Sequence, residues 1–355
     1  MPVVTDPLAS DVTPAPAVLA AFAIDPTTLR RVGTGLINRT WSARDARGAA
    51  CVLQRVNPVF PAAIHYDIDA VTRHLQAKGL ATPVLIPTRS NELWHEHAGA
   101  VWRVLTSIEG TSYEALRNVE QAREAGRILA VFHRALVDLD HTFRGTRLGV
   151  HDTPRHIATL RAALEEHRAH SAFAKVAALG TAVLELAAEI DATPDAAARI
   201  VHGDPKISNV MFAPDGQRAL CLIDLDTVAR MPIALELGDA FRSWCNPKTE
   251  DASDATFQLA LFRAAIEGYA AGSAGLLTPA EWEAIPSAIF RITVELAARF
   301  CTDALRERYF AWDQQRFRTA SEHNQARTRG QLALARAVRA QLPAIEEVVT
   351  RASGL

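Results

Sequence analysis

Lysine is nearly missing from this 355-residue chain. Only Lys78, Lys175, Lys206 and Lys248 occur, so arginine supplies almost all of the 38 positive charges. Against 40 acidic residues the balance is 38 − 40 = −2. A chain without a basic excess lacks the electrostatic footprint of a nucleic-acid or membrane-surface binder. Cysteine is scarce as well: Cys51, Cys221, Cys245 and Cys301 include no Cys-x-x-Cys pair. That excludes a zinc ribbon and a thioredoxin-type motif, and suits free thiols in a reducing compartment. No apolar run reaches the roughly 18 residues of a helical membrane span. The stretch Met1 to Ser10 has no basic segment followed by an apolar one, so no signal peptide and a cytoplasmic location are expected. Gly-x-Ser-x-Gly and dinucleotide fingerprints are also missing.

What is present suits an ordinary soluble globule, with 49% hydrophobic and 22% charged residues. The first 25 residues are rich in Pro, Ala and Asp and read as a loose arm with one short helix around Ala15 to Phe22. Arg31 to Ala43 reads as strand, turn and strand about Gly33 and Gly35. Asp45 to Gly48 is a turn signal, and Cys51 to Asn57 is a further strand. Ile64, Ile68, Val71 and Leu75 recur at helical spacing, predicting a helix over Ile64 to Ala77 closed by Gly79. Strands follow near Val84 to Ile86, Glu92 to His97 and Val101 to Ser107.

After Glu109 and Gly110 the pattern turns helical over Gln121 to Val137, His156 to Ala169, Ala172 to Ile190 and, later, Phe257 to Ala352. Short strands and loops over Ile200 to Val228 interrupt it. The expected architecture is α+β and two-lobed: a small β-rich N-lobe over residues 1–108 and a large helical C-lobe over residues 109–355.

The interruption carries the chemistry. It reads His202-Gly203-Asp204-Pro205-Lys206-Ile207-Ser208-Asn209, then a turn at Pro214-Asp215-Gly216, then a strand ending Ile223-Asp224-Leu225-Asp226. Phosphoryl transfer needs an aspartate to accept the proton of the attacking hydroxyl. It also needs an amide oxygen and a second carboxylate to hold Mg²⁺ against nucleotide phosphates. Asp204 and Asn209 are spaced like the Asp and Asn of the protein-kinase catalytic loop, and Asp224 opens the next loop.

This segment resembles the aminoglycoside phosphotransferase and choline kinase superfamily, relatives of protein kinases that phosphorylate small molecules. By that resemblance Asp204 is the catalytic base, Asn209 and Asp224 are metal ligands, and ATP with Mg²⁺ is the cofactor. Gly238-Asp239-Ala240 resembles a downstream structural element of the group. A narrower resemblance, to bacterial N-acetylhexosamine 1-kinases, rests on Gly33-Thr34-Gly35-Leu36-Ile37-Asn38-Arg39-Thr40, Leu53-Gln54-Arg55-Val56-Asn57 and Asp224-Leu225-Asp226-Thr227. Gly238 to Arg242, Thr302-Asp303, Tyr309-Phe310 and His323-Asn324 extend it. It implies transfer of the ATP γ-phosphate to the anomeric (C1) hydroxyl of an N-acetylhexosamine, N-acetylglucosamine or N-acetylgalactosamine.

In a kinase fold, Gly33 and Gly35 would let backbone N–H groups approach phosphate. The strand that normally offers a lysine has none here. Arg55, on the same strand face as Leu53, is the candidate in its place, with Gln54 as the alternative. Asp67 or Asp69 would be the helix acid. The resemblance implies an adenine-binding hinge at Thr106, Ser107 and Ile108 above a floor of Met211 and Ile223.

A sugar site needs charged and amide groups plus an aromatic face. The candidates are Arg242, Trp244, Asn246, Arg299, Asp303 and Tyr309, with Lys206 placed to steady the phosphoryl group. The chemistry admits two other readings, a kinase of an aminoglycoside, amino alcohol or other hydroxyl compound and a nucleotide-binding pseudokinase; the intact Asp204, Asn209, Asp224 set speaks against the latter. No nucleic-acid or membrane partner and no particular oligomeric state are implied.

Overall fold

The computed structural model describes residues 13–32, 38–145, 150–191 and 196–354. Gly33 and Gly35 lie outside the described residues. The chain divides into two compact units. The first takes the sequence up to Glu109 together with Leu139–Arg147, and the second takes Gly110–Asp138 and everything from Leu148.

The first unit is an antiparallel sheet. Its strands are β1 (Arg30–Arg31), β2 (Arg39–Arg44), β3 (Ala50–Arg55), β4 (Leu85–Ile86), β5 (His95–His97) and β6 (Ala100–Thr106). The order is β1-β2-β3-β6-β4, with β5 sharing the β4 edge of β6. Asp45 makes the β2–β3 turn, its Oδ1 accepting the N–H groups of Arg47 and Ala49, while Gly48 adopts φ +83°. The expected strand from Glu92 shortens to β5, because Asn91 turns the chain at φ +65°.

Register decides the two faces of the sheet. Leu53 lies opposite Trp41 and Val104, so these share a face with Cys51. Helix α1 (Pro16–Ala21) covers that face with Val18 and Leu19, and Phe22 and Ile24 follow it into the same core. From Ala15 to Ile24 the supposed loose arm is therefore ordered cover on the sheet. Gln54 points the other way, opposite Thr40 and Arg103.

Helix α2 (Ile64–Ala77) buries Ile64, Ile68, Val71 and Leu75, as the spacing predicts. A single cut near residue 108 misses one excursion, the segment that begins at Leu139 and packs with the first unit. The reason is Asp67 of α2, whose carboxylate accepts from His141 Nε2 and from the backbone N–H groups of Arg144 and Gly145 at 2.7–3.2 Å.

The second unit is helical: α3 (Val119–Ala135), α4 (Thr153–Glu166), α5 (Phe173–Ala187), α6 (Ile233–Trp244), α7 (Leu259–Ser273), α8 (Pro279–Glu283), α9 (Ile285–Arg306) and α10 (Ala320–Ser353). Helix α4 begins before the expected His156, because Asp152 caps Arg155 N–H and Pro154 occupies the first turn. Helix α9 is the axis, packed by α4, α5, α6 and α10. Two short antiparallel strand pairs interrupt the helices: β7 (Ala198–Val201) pairs with β10 (Ala229–Pro232), and between them in sequence β8 (Val210–Phe212) forms a hairpin with β9 (Ala219–Leu222). All four cysteines are free and buried. No helix among the described residues is long and apolar enough to cross a membrane.

Candidate active site

The His202–Asn209 loop leaves β7 and enters β8. Gly203 sits at φ +84°, and a Cβ there would lie 2.3 Å from the carbonyl oxygen of Thr227. Only glycine lets the loop press against the Leu225–Thr227 turn. Thr227 closes the contact, its Oγ1 donating to the His202 carbonyl at 3.0 Å.

His202 is buried and spends both ring nitrogens. Nδ1 accepts from the Asp204 N–H at 3.3 Å and Nε2 lies 2.8 Å from the Ile223 carbonyl. That pattern assigns a neutral ring protonated on Nε2. The imidazole thus ties the aspartate that follows it to the strand end that precedes Asp224.

Beneath this loop lies a carboxylate that the sequence reading did not single out. Glu236 of α6 is 0% exposed. Its Oε1 accepts the His202 N–H and its Oε2 the Gly203 N–H, both at 2.8 Å. His133 Nε2 stands 3.3 Å from Oε1, and His133 Nδ1 reaches the Tyr269 hydroxyl at 2.9 Å. Burial pushes the Glu236 carboxyl up, but the His133 hydrogen bond and charge and the Gly203 N–H more than offset it, leaving it below its ordinary value. A lone acid in the apolar run Ile233-Ala234-Leu235-Glu236-Leu237 was the available signal.

Asp204, Lys206 and Asn209 meet directly. Lys206 Nζ donates to Asp204 Oδ2 at 2.7 Å. Asn209 Nδ2 donates to the Asp204 carbonyl at 2.8 Å and to Oδ2 at 3.2 Å. Burial raises the Asp204 pKa, the Lys206 charge and hydrogen bond lower it, and the net position is below the ordinary value. Burial likewise opposes the Lys206 charge, but Asp204 and Asp224 hold the ammonium protonated beyond its ordinary range. The β8–β9 hairpin brings Asp224 to the same place: the Ile223 N–H bonds the Asn209 carbonyl at 2.9 Å. Asp224 itself adopts φ +65°, a left-handed turn that redirects the chain as it leaves β9.

Residues 28–274 match the APH family of phosphotransferase enzymes. The chain belongs to this family. Solved structures agree in fold. An aminoglycoside phosphotransferase from Alicyclobacillus acidocaldarius is similar at 18% identity and TM-score 0.61, covering 94% of this chain and 98% of its own. The amicoumacin kinase hAmiN, solved with AMP-PNP, Ca²⁺ and Ami, gives 12% identity and TM-score 0.60 over 89% and 91%. A choline/ethanolamine kinase family protein from Mesorhizobium loti gives 16% and 0.53 over 90% and 92%. The small antiparallel sheet with a helical second lobe is the kinase-like fold of these proteins.

In this phosphotransferase the residues suit a divalent ion. The Asn209 amide nitrogen is committed to Asp204, which leaves Oδ1 as its ligand atom. A carboxamide oxygen and the Asp224 carboxylate would make a hard, oxygen-only donor pair of the kind Mg²⁺ takes, which phosphate and water would have to complete. Among the described residues no group of three or more His, Cys, Asp or Glu could hold a metal unaided. The donor set therefore fits an ion shared with phosphate rather than a closed protein cage.

The other expected residues take varied places. Trp244 departs from its expected role as a substrate-facing aromatic: it is 0% exposed and its indole N–H donates to the Pro205 carbonyl at 2.8 Å. It supports the loop from behind, as does Ser243, whose Oγ accepts the Ile207 N–H. Asp303 is engaged by the backbone N–H groups of Arg308, Tyr309 and Phe310 and by Asn324 Nδ2 at 2.9–3.0 Å. It fixes the loop after α9 rather than standing free for a sugar hydroxyl.

Arg242 is buried against Asp239 at 2.8 Å and Glu250 at 3.4 Å. Asn246 is buried and accepts the Lys248 N–H. Arg299 Nη2 lies 3.5 Å from the Tyr309 hydroxyl and Tyr309 is 45% exposed.

Met211 and Ile223 are half-buried on and beside the β8–β9 hairpin. Ser107 is exposed and Ile108 half-buried just past β6. Arg55 shares the Leu53 face, but α1 covers that face, and its Nη1 is buried without a hydrogen bond among the described residues. Gln54, on the opposite face, accepts from Arg103 Nε at 2.8 Å and donates to Thr40 at 3.2 Å.

Proposed function

We propose that the protein is an ATP- and Mg²⁺-dependent small-molecule kinase that phosphorylates a hydroxyl of a neutral sugar, the anomeric hydroxyl of an N-acetylhexosamine. Family membership supports the phosphotransferase chemistry, and the bound AMP-PNP and Ca²⁺ of the amicoumacin kinase support a nucleotide with a divalent ion. Bound Mg²⁺ would supply neutralisation of phosphate charge. The chain's own part is positioning. Asp204, ionised at neutral pH, accepts the acceptor's hydroxyl proton at Oδ1 or Oδ2. Lys206 steadies that carboxylate and offers charge to the transferring group. Asn209 Oδ1 and Asp224 would hold the ion, while Glu236 and His202 keep the loop in register.

One observation supports the neutral acceptor. Three acids of the helical unit are already matched: Asp239 by Arg242, Asp303 by backbone donors and Asn324, and Asp251 by Arg316 and Thr249. A cationic amine would find their charge spent. The rival reading, an amine-bearing acceptor, draws on the names of the similar structures and on Glu250, whose side chain is 47% exposed. The deciding experiment is an ADP-release screen with Mg²⁺-ATP against free hexosamines, hexoses, aminoglycosides and amino alcohols, with phosphorus NMR of the product. A C1 phosphate on an N-acetylhexosamine supports the proposal; transfer only to amine-bearing acceptors refutes it.

A further inference from the structure

The first unit carries a cleft of about 490 Å³ to which the kinase reading gives no task. That volume lies within the ~300–1,000 Å³ of ordinary small-molecule sites. Its charged lining is Asp25, Arg44, Asp45 and Arg89, and Ala23, Ile24 and Ala46 add apolar surface.

Backbone hydrogen bonds tie three separate stretches of chain into its frame. The Asp25 N–H donates to the Arg44 carbonyl at 2.9 Å, the Ala46 N–H to the Ala23 carbonyl at 2.8 Å, and the Arg89 N–H to the Ala21 carbonyl at 2.8 Å. The Arg44 N–H adds a bond to Thr28 Oγ1 at 2.9 Å. A wall held this way is organised before any ligand arrives.

Each acid in the lining is half committed. Asp25 Oδ1 accepts the Thr27 N–H at 2.9 Å and the Thr27 hydroxyl at 2.7 Å. Those bonds hold the Asp25 carboxyl below its ordinary pKa, so it is ionised at neutral pH. Asp45 Oδ1 accepts the N–H groups of Arg47 and Ala49, both at 2.9 Å. In both residues Oδ2 is left without a hydrogen bond among the described residues.

The arginines are open as well. Arg44 gives only Nη1 away, to the Gly48 carbonyl at 2.6 Å. The Arg89 guanidinium makes no hydrogen bond or ion pair among the described residues. Both arginines are exposed and both acids half-buried, so the negative charge is set deeper than the positive. Two charges of each sign thus line one space, yet among the described residues no ion pair joins either acid to either arginine. The frame holds them apart.

That spacing selects a ligand class. A simple anion would meet two carboxylates, and a simple cation two guanidinium groups. A molecule with an ammonium at one end and a carboxylate at the other meets a counter-charge at each. A short apolar side chain on it would cover Ala23, Ile24 and Ala46.

We propose that this cleft is a binding site for a free α-amino acid with an apolar side chain, its ammonium group on Asp25 and Asp45 and its carboxylate on Arg89 and Arg44. The site belongs to the first unit, whereas the Asp204 loop belongs to the second, and it stands whichever acceptor the kinase takes.

The test is saturation-transfer difference NMR on the full chain with L-alanine, L-valine and L-leucine, each titrated to about 20 mM. Isoamylamine and 4-methylpentanoate, which are leucine without its carboxylate and without its amine, separate the two charges. At least one of the amino acids should saturate with a Kd at or below about 1 mM, and both single-charge compounds should bind at least about tenfold more weakly than leucine. Arg89→Ala and Asp25→Asn should each weaken the amino acid at least about tenfold, the scale of one charge-assisted hydrogen bond. Arg89→Ala removes a side chain without a partner among the described residues, and Asp25→Asn keeps an Oδ1 acceptor for Thr27, so either variant carries the test if the other melts early. Failure of all three amino acids to saturate overturns the proposal. So does binding that a folded variant leaves unchanged, or a single-charge compound that binds as tightly as leucine. No arm reads ADP release, so failure of the kinase reading leaves the result intact.

Discussion

Glu236 offers the sharpest test of how the loop is held. Its carboxylate takes the backbone N–H groups of His202 and Gly203 and faces His133, all out of contact with water. Glu236→Ala would strand two buried N–H donors, each costing about 1–3 kcal/mol. The side-chain void adds to that, so a total of roughly 3–6 kcal/mol is expected. That is a large part of the ~5–15 kcal/mol that holds a typical domain together. Glu236→Gln retains one acceptor oxygen but turns an NH₂ toward the remaining donors, for about 2 kcal/mol. At ~2–4 °C per kcal/mol for a chain of this size class, the Gln variant should melt several degrees lower.

The pH dependence follows from the depressed Glu236 pKa. Such a group contributes stability that is complete above the unfolded glutamate value near ~4.3 and is lost as pH falls through the lower folded value. The stability difference between wild type and Glu236→Gln should therefore shrink on acidification below that value. Differential scanning calorimetry between pH 3 and 7, with ADP release on the same samples, reads both effects. A Gln variant that melts within a degree of wild type at pH 7 and keeps full turnover would show that the latch does not hold the loop.

Asp204→Ala should lower turnover at least about a hundredfold, the scale of a lost general base; near wild-type turnover by a folded variant counts against that role. Asn209→Ala and Asp224→Ala should each raise the Mg²⁺ concentration for half-maximal ADP release at least about tenfold, as for other disruptions of a metal's coordination; an unchanged Mg²⁺ titration removes them from the ion. Lys206→Met takes away the charge that holds the Asp204 pKa down. The acid limb of kcat/KM should then move to higher pH, since the carboxylate protonates earlier on acidification. A limb that stays put or moves to lower pH contradicts the ion pair's role.

The parts of the protein that were legible in the sequence are those written in short-range pattern. Apolar spacing revealed α2, and the Asp204 to Asp224 stretch announced its chemistry because the motif is contiguous in the chain. What stayed hidden depends on partners distant in sequence. Glu236 stands 34 residues from the amide of His202 that it holds, and Asp67 binds backbone more than 70 residues away. Trp244 looked like an aromatic platform because nothing local says that its ring is enclosed and its N–H is taken by Pro205. Strand alternation placed Arg55 beside Leu53, as found, but the identity of the layer above that face depended on where α1 docks.

The enclosed thiols make this molecule its own reporter of opening. Burial pushes Cys221 and Cys301 up to about 12 and raises Cys51 and Cys245 as well, so the reactive thiolate is suppressed at each position. Alkylation at neutral pH must then wait for the covering structure to part. Cys51 belongs to the sheet unit and the other three to the helical unit. Site-resolved labelling rates in the native protein would record how often each lobe breathes, and whether a nucleotide slows one clock, the other, or both.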